Sequence, residues 1–306
     1  MDAKSDEIKK EINRLKKEKD AVILAHYYVA NEVQDIADFI GDSYFLAQKA
    51  TEVPQQTIVF CGVSFMGESA KMLNPDKKVI MPDMLANCPM AHMADADYIE
   101  KIRQEYDDLA VVCYINSTAE LKKHSDVCVT SSNALKIVRA LPNKNIFFIP
   151  DENLGRYIAS LVPEKNFIFN DGFCHVHKDI TKENVLKAMA EHPNARVLVH
   201  PECTLNVLEL ADYIGSTSGI IDYASGCDAS EYIICTESGV LYELTMKNPD
   251  KHFYLASSDQ LCPNMKKVTL EKVRDALINE ANVVNVSNDV ISRASLPLTR
   301  MLELAR

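Results

Sequence analysis

Displaced by 174 residues, the chain falls onto itself: Ala21-Val-Ile-Leu-Ala-His26 lands on Ala195-Arg-Val-Leu-Val-His200, and Ala37-Asp-Phe-Ile-Gly-Asp-Ser43 on Ala211-Asp-Tyr-Ile-Gly-Ser-Thr217. Asn74-Pro-Asp-Lys77 lands on Asn248-Pro-Asp-Lys251, and Cys88-Pro89 on Cys262-Pro263. Of the 30 gapless pairs between 60–89 and 234–263, nine are identical. A displacement of 88 brings up a more diverged middle copy, in which Asp38 meets Asp126, Ser43 meets Ser131 and Phe60 meets Phe148. A two-residue deletion then carries Cys88 to Cys174. A repeat of this kind dictates architecture before any single residue does, because each unit must bury its apolar face against its neighbours.

The units lie at roughly 21–90, 109–176 and 195–264. In the first, β-branched runs at 21–25, 39–40, 57–60 and 78–81 alternate with amphipathic stretches near 31–38, 43–51 and 65–73. That alternation predicts parallel strands with right-handed crossovers. The expected fold class is α/β: three similar three-layer α/β/α domains with short parallel sheets, arranged about a pseudo-threefold axis, since units this small are marginal alone. Charged helices are expected before each unit, at Ser5–Lys19, Asp95–Asp107 and Thr181–His192. A fourth, Thr269–Glu280, leads into Ala281-Asn-Val-Val-Asn-Val286, which reads as the start of a truncated fourth copy. The domains expected are 1–92, 93–178 and 179–265, with 266–306 a C-terminal helical extension packing back on the core.

A formal charge of −11, from 33 Lys and Arg against 44 Asp and Glu, supplies no broad basic surface, so nucleic acid is not an expected partner. No apolar run approaches the ~20 residues that span a bilayer, and Met1-Asp2-Ala3-Lys4-Ser5-Asp6-Glu7 lacks the apolar stretch of a signal peptide. The expectation is a cytoplasmic protein without membrane contact, whose nine cysteines are reduced thiols suited to metal or catalytic work.

Ligands of open parallel sheets sit beyond the carboxyl ends of the strands. Aligned across the copies, those positions give His26, Tyr114 and His200, then Tyr28, Asn116 and Glu202, then Ser43, Ser131 and Thr217, and finally Cys88, Cys174 and Cys262. All four triplets should converge on the shared axis. The three hydroxyls stand at the heads of helix patterns, where they either cap the helix or, with the free N–H groups there, hold an anion. An acidic protein needs such neutral donors to bind carboxylates or phosphate. Cys61, Cys113, Cys128 and Cys235 lie in apolar runs and read as buried small hydrophobes, and Cys203 and Cys227 are also given structural roles.

Cys88, Cys174 and Cys262 sit instead in polar loops, one per unit. Three thiolates suit either a [4Fe–4S] cluster with one iron lacking a protein ligand or a zinc ion with an open position, and sulfur ligation alone does not choose between them. An open metal position beside Tyr, His, Glu and hydroxyl groups points to Lewis-acid chemistry on a chelated hydroxy compound. His177 has no counterpart in the other copies and reads as a zinc ligand, a donor behind a ligand, or an exposed loop histidine.

The motifs His26-Tyr-Tyr28, Gly41-Asp-Ser43, Gly62-Val-Ser-Phe-Met-Gly-Glu68, Asn87-Cys-Pro-Met-Ala91, Tyr114-Ile-Asn116, Thr130-Ser-Ser132, Cys174-His-Val-His177, His200-Pro-Glu-Cys203, Ser216-Thr-Ser-Gly219 and Cys262-Pro-Asn-Met-Lys266 together resemble the quinolinate synthase family, from about residue 20 to 306. The resemblance implies condensation of iminoaspartate (iminosuccinate) with dihydroxyacetone phosphate to quinolinate, with loss of phosphate and two waters, in de novo NAD biosynthesis. It implies a [4Fe–4S] cluster on Cys88, Cys174 and Cys262, whose open iron acts as Lewis acid. His26, Ser43, Tyr114, Asn116, Ser131, His177, His200, Glu202 and Thr217 would bind substrate, and Tyr28, Glu202, Tyr114 and His200 would form the catalytic set. Glu202 would work as acid or base if partial desolvation raised its pKa. The partners implied are those two small molecules, with transient contact to the enzyme supplying iminoaspartate. Some members carry Cys-x-x-Cys-x-x-Cys near the third ligand; here Asn264 and Met265 follow, and Cys262 alone can serve. Competing readings are a cluster-dependent hydro-lyase akin to aconitase, acting without condensation, and a structural or sensing protein built around zinc or a cluster.

Overall fold

The computed structural model describes residues 3–306; Met1 and Asp2, which open the charged N-terminal run, lie outside the described residues. Twelve strands form three four-stranded sheets. The first holds β1 (Ala21–His26), β2 (Phe39–Gly41), β3 (Thr57–Cys61) and β4 (Lys78–Ile80). The second holds β5 (Leu109–Tyr114), β6 (Val127–Val129), β7 (Asn145–Ile149) and β8 (Asn166–Phe169). The third holds β9 (Arg196–Val199), β10 (Tyr213–Ile214), β11 (Glu231–Cys235) and β12 (His252–Leu255). Each sheet has its first strand inside, in the order second-first-third-fourth, and every pairing is parallel. The three α/β/α layers expected from the repeat are present.

The inner strands are covered on both faces, which is why they read as unbroken apolar runs rather than alternating ones. All residues of β1 and β3 are buried. On β9 and β11 the side chains alternate between two separate cores: Val197, Val199, Ile233 and Cys235 point one way, Leu198, Tyr232 and Ile234 the other. Cys61, Cys113, Cys128, Cys203 and Cys235 are buried among these apolar side chains. Through the first two units the core is continuous. The helix Asn288–Leu304 closes it, burying Ala294, Leu298 and Met301 while packing on the helix Ser64–Leu73 of the first unit and on Ala119–Lys122 and β6 of the second.

Several repeated identities prove to be scaffolding. Asp38, Asp126 and Asp212 each accept the backbone N–H of the inner strand beside them, from Ile23, Val111 and Val197, at 2.8, 2.7 and 2.8 Å. Lys77, Lys165 and Lys251 donate to backbone carbonyls at the end of the helix preceding their unit's third strand, including Ala50, Leu141 and Ala224. A cation there satisfies orphaned carbonyls and complements the helix dipole. The Asn-Pro-Asp-Lys signature is therefore a helix clamp.

Two expectations fail. Ala281–Val286 does not open a fourth copy: Glu280 and Asn282 take left-handed φ of 48° and 62°, and Val283 forms an isolated antiparallel bridge to Ile80. The chain turns back along the first sheet, where a repeat unit would begin a parallel strand. The three hydroxyls are also not N-caps. Asp42 and Ser216 cap the helices Ser43–Glu52 and Thr217–Gly226, so Ser43 and Thr217 are first helical residues. Ser131 lies in a turn ahead of the helix Ala134–Ala140, whose N-cap is Asn133.

Candidate active site

The carboxyl ends of all three sheets face one cavity. It is lined by His26, Tyr28, Ser43, Cys88, Tyr114, Asn116, Ser131, Cys174, His177, His200, Glu202, Thr217 and Cys262, every position singled out from the repeat and the motifs. The triplets meet because equivalent strand ends from three units point inward together. Two of the hydroxyls make contacts across units instead: Thr217 Oγ1 lies 2.6 Å from the Tyr28 hydroxyl, and Ser131 Oγ 3.2 Å from His200 Nε2.

The two histidines share one geometry. His26 Nδ1 accepts the N–H of Tyr28 at 3.1 Å, and His200 Nδ1 accepts the N–H of Glu202 at 3.3 Å. That fixes the tautomer, with the proton on Nε2 directed into the cavity. Burial pushes both imidazoles down to about 3, aided at His26 by Lys266 and at His200 by His177. They are neutral N–H donors at physiological pH. Burial likewise raises Tyr28 and Tyr114 well above the ordinary phenol value, with Glu202 adding to the effect at Tyr114, so both keep their protons.

Glu202 departs from expectation. Burial alone would raise its carboxyl, but His177, then His200 and the Tyr114 hydroxyl, outweigh it and hold the group well below the usual carboxylate range. The Tyr114 hydroxyl donates to Oε1, and His177 Nδ1 stands 3.1 Å from Oε2. The resting state is a carboxylate ready to take up a proton, whereas partial desolvation would have left an acid holding one.

Each cysteine loop is tied down by the same bond. The N–H three residues after the end of the third strand, in Ser64, Glu152 and Ser238, donates to the carbonyl of Ala86, Gly172 and Gln260, each two residues before its cysteine, at 2.8, 2.8 and 2.7 Å. In the second and third units a buried carboxylate adds a second tie: Asp151 Oδ2 accepts the N–H of Cys174 at 3.2 Å, and Glu237 Oε1 that of Cys262 at 3.0 Å. Glu237 also meets Lys266 at 3.0 Å. Val63 occupies the equivalent position in the first unit. Without a metal, burial raises all three thiols, Cys88 to about 12, so a metal must displace protons to bind them.

A zinc ion on three thiolates would need the sulfurs roughly 4 Å apart, given Zn–S bonds of about 2.3 Å in a tetrahedron. Among the described residues, the group of three donors close enough to share one ion is instead Cys174, His177 and Glu202, whose ligand atoms lie within 4.8 Å of one another. Cys88 and Cys262 border the same cavity without joining that group. The donors present can hold a metal.

The family model described as quinolinate synthetase A protein matches residues 10–303. The chain belongs to the quinolinate synthase A family. Curated relatives named quinolinate synthase include those of Caldicellulosiruptor bescii, 52% identical over 297 residues covering 97% of this chain and 98% of the relative, and Fusobacterium nucleatum, 53% identical with 97% and 99% covered. The quinolinate synthase of Aquifex aeolicus is 48% identical, with 98% and 94% covered. As in the sequence reading, no helix among the described residues is long and apolar enough to cross a membrane.

Strand-end reasoning passed over Thr236. It is fully buried at the end of β11, and its hydroxyl lies 2.8 Å from the Tyr28 hydroxyl and 2.9 Å from His177 Nε2. Gly62 and Pro150 are its counterparts, so no shared chemistry marks the position in the repeat. Asp151 and Glu237 share a position and a chemistry, but Val63 in the first unit breaks the triplet.

Proposed function

We propose that this protein condenses iminoaspartate with dihydroxyacetone phosphate to give quinolinate, with loss of phosphate and two waters, for NAD biosynthesis in the cytoplasm. The observation that carries the reading is the convergence of one cysteine from each unit on a cavity that also brings together the neutral donors His26, His200, Tyr28 and Tyr114 and the Glu202 carboxylate. A [4Fe–4S] cluster on Cys88, Cys174 and Cys262 supplies a Lewis-acidic iron free of protein ligands. The chain's own groups do the binding and proton movement. His26 and His200 donate Nε2–H to the carboxylates and phosphate of the substrates, joined by the hydroxyls of Ser43, Ser131 and Thr217.

Asn116 Oδ1 is buried without a partner and accepts an N–H or O–H of the substrate. Glu202 receives a proton from the carbon or nitrogen being deprotonated, with Tyr114 steadying the carboxylate and His177 beside it. Tyr28, held between Thr217 and Thr236, returns a proton during isomerisation of the triose and closure of the ring. The same reading divides the chain at 1–92, 93–178, 179–265 and 266–306. Anaerobic incubation of the reconstituted protein with dihydroxyacetone phosphate and an iminoaspartate source should yield quinolinate and phosphate in equal amounts. Fully iron-loaded protein that forms no quinolinate would overturn the proposal.

A further inference from the structure

Lys266 does not line the cavity, yet it is tied to both sides of it. It stands just past the third unit, four residues after Cys262. Its Nζ donates to the Tyr28 carbonyl of the first unit at 2.6 Å and meets Glu237 Oε1 at 3.0 Å. Glu237 in turn accepts the N–H of Cys262 on Oε1 at 3.0 Å and that of Gly239 on Oε2 at 2.6 Å. A charged donor between a carbonyl and a carboxylate makes bonds stronger than neutral ones. The backbone of Tyr28 is thereby joined to the loop that carries the third cysteine.

The backbones of the two units also meet here. A Cβ on Gly239 would stand 2.6 Å from the Tyr27 oxygen and 2.7 Å from the Tyr28 Cα, an approach that only glycine admits. Gln34 Nε2 is bonded to the Tyr27, Val29 and Gly239 carbonyls at 2.8, 3.1 and 3.1 Å, stitching the same two segments together. Tyr28 is thus held at its N–H by His26, at its carbonyl by Lys266 and at its hydroxyl by Thr217 and Thr236. The other units do not repeat the device. Four residues past Cys88 stands His92, bonded to Asn87, and four past Cys174 stands Lys178, which lies over the Phe173 ring. A cysteine loop forms without such a lysine, so Lys266 serves something found only at this seam.

We propose that Lys266 is a positioning residue for Tyr28: braced by Glu237, it fixes the tyrosine's backbone so that the hydroxyl stays between Thr217 and Thr236. The proton-transfer role of Tyr28 rests on the reaction proposed above; the clamp on its backbone does not. Removing the ammonium frees the Tyr28 carbonyl and leaves Glu237, 1% exposed at its side chain, without its cation. The tyrosine then samples other orientations, and the fraction aligned for proton transfer falls. Iron content stays as in wild type, because Glu237 still accepts the Cys262 N–H.

The test is a double-mutant cycle on iron-loaded protein: wild type, Lys266→Met, Tyr28→Phe and the two together, with turnover and iron per chain measured on each. Lys266→Met should lower kcat on the order of tenfold with iron unchanged. In the Tyr28→Phe background it should cost nothing further, because the group it positions is gone. Wild-type kcat in Lys266→Met overturns the proposal, as does loss of its iron, or an equal loss of kcat with and without the tyrosine hydroxyl. If Lys266→Met fails to fold, Lys266→Met/Glu237→Gln removes both charges and takes its place in the cycle. Hydrogen exchange gives a readout that needs no turnover: amides of residues 28–30 should exchange about tenfold faster in Lys266→Met, while those of β1 keep the wild-type rate. Unchanged exchange over 28–30 overturns the clamp. Iron-loaded wild type that makes no quinolinate would refute the proposed reaction instead, leaving hydrogen exchange to decide the clamp.

Discussion

Glu202 keeps its charge at a depth where burial alone would protonate it, because His177, His200 and Tyr114 surround it. Tyr28 keeps its proton because burial disfavours the phenolate more than the hydrogen bonds with Thr217 and Thr236 favour it. The two groups are thus set in opposite protonation states at neutral pH, which is what a pair that takes and gives protons requires. Glu202→Gln and Tyr28→Phe should each retain full iron content and lower turnover on the order of 10²-fold, measured by steady-state assay on iron-matched samples; wild-type turnover in either variant removes that residue from the mechanism. Thr236 could not be read from the chain, since its importance lies in two partners 208 and 59 residues away. Tyr28 could, because the end of an inner parallel strand is a site position whatever the partners.

At the level of elements, each unit delivers its cysteine on a loop fastened to the helix start after the third strand, and two of the three loops have a carboxylate behind them. The first unit manages with Val63, so the carboxylates are not needed for the loop to form. Their effect falls on the ligands. Asp151→Val removes the acceptor for the Cys174 N–H and should speed loss of iron to a chelator about tenfold, followed by absorbance under anaerobic conditions, with the metal-free fold intact by circular dichroism. Iron loss at the wild-type rate would make Asp151 a structural residue only. The strands and main helices were legible because periodicity and repeat agree. The caps were off by one because Asp42 and Ser43, or Ser216 and Thr217, are both good N-cap types and only the backbone decides which one caps.

Across the whole molecule, the N-terminal helix Ala3–Glu18 and the helix Leu270–Asn279 pack together beside the first sheet. Glu280 joins them to that sheet through Lys19, at 2.7 Å, and Lys78. Hydrogen bonds from Lys19 and Lys78 hold its carboxyl down at about 2 from an ordinary 4.5. Its folded value lies below the unfolded one, so the stabilisation is complete above about pH 4.5 and fades as pH falls through 2. Because the side chain is 32% exposed, solvent screens the pair and the contribution is about 1 kcal/mol or less. Glu280→Gln should lower the denaturation midpoint at pH 7, with the gap to wild type narrowing below pH 4.5; a gap constant with pH would deny the ion pair a role. The turn that places Glu280 was misread as a fourth repeat, since Val283 and Val284 follow a charged helix just as true first strands do.

The account stands on three distant cysteines acting as one ligand set. Iron and acid-labile sulfide per chain in anaerobically prepared wild type, set against Cys88→Ala, Cys174→Ala, Cys262→Ala and the core substitution Cys128→Ala, tests this directly. Wild type and Cys128→Ala should carry iron and sulfide in equal amounts and a brown colour, and each of the other three should lose both. One zinc and no iron in wild type, or full iron in Cys88→Ala or Cys262→Ala, would contradict it.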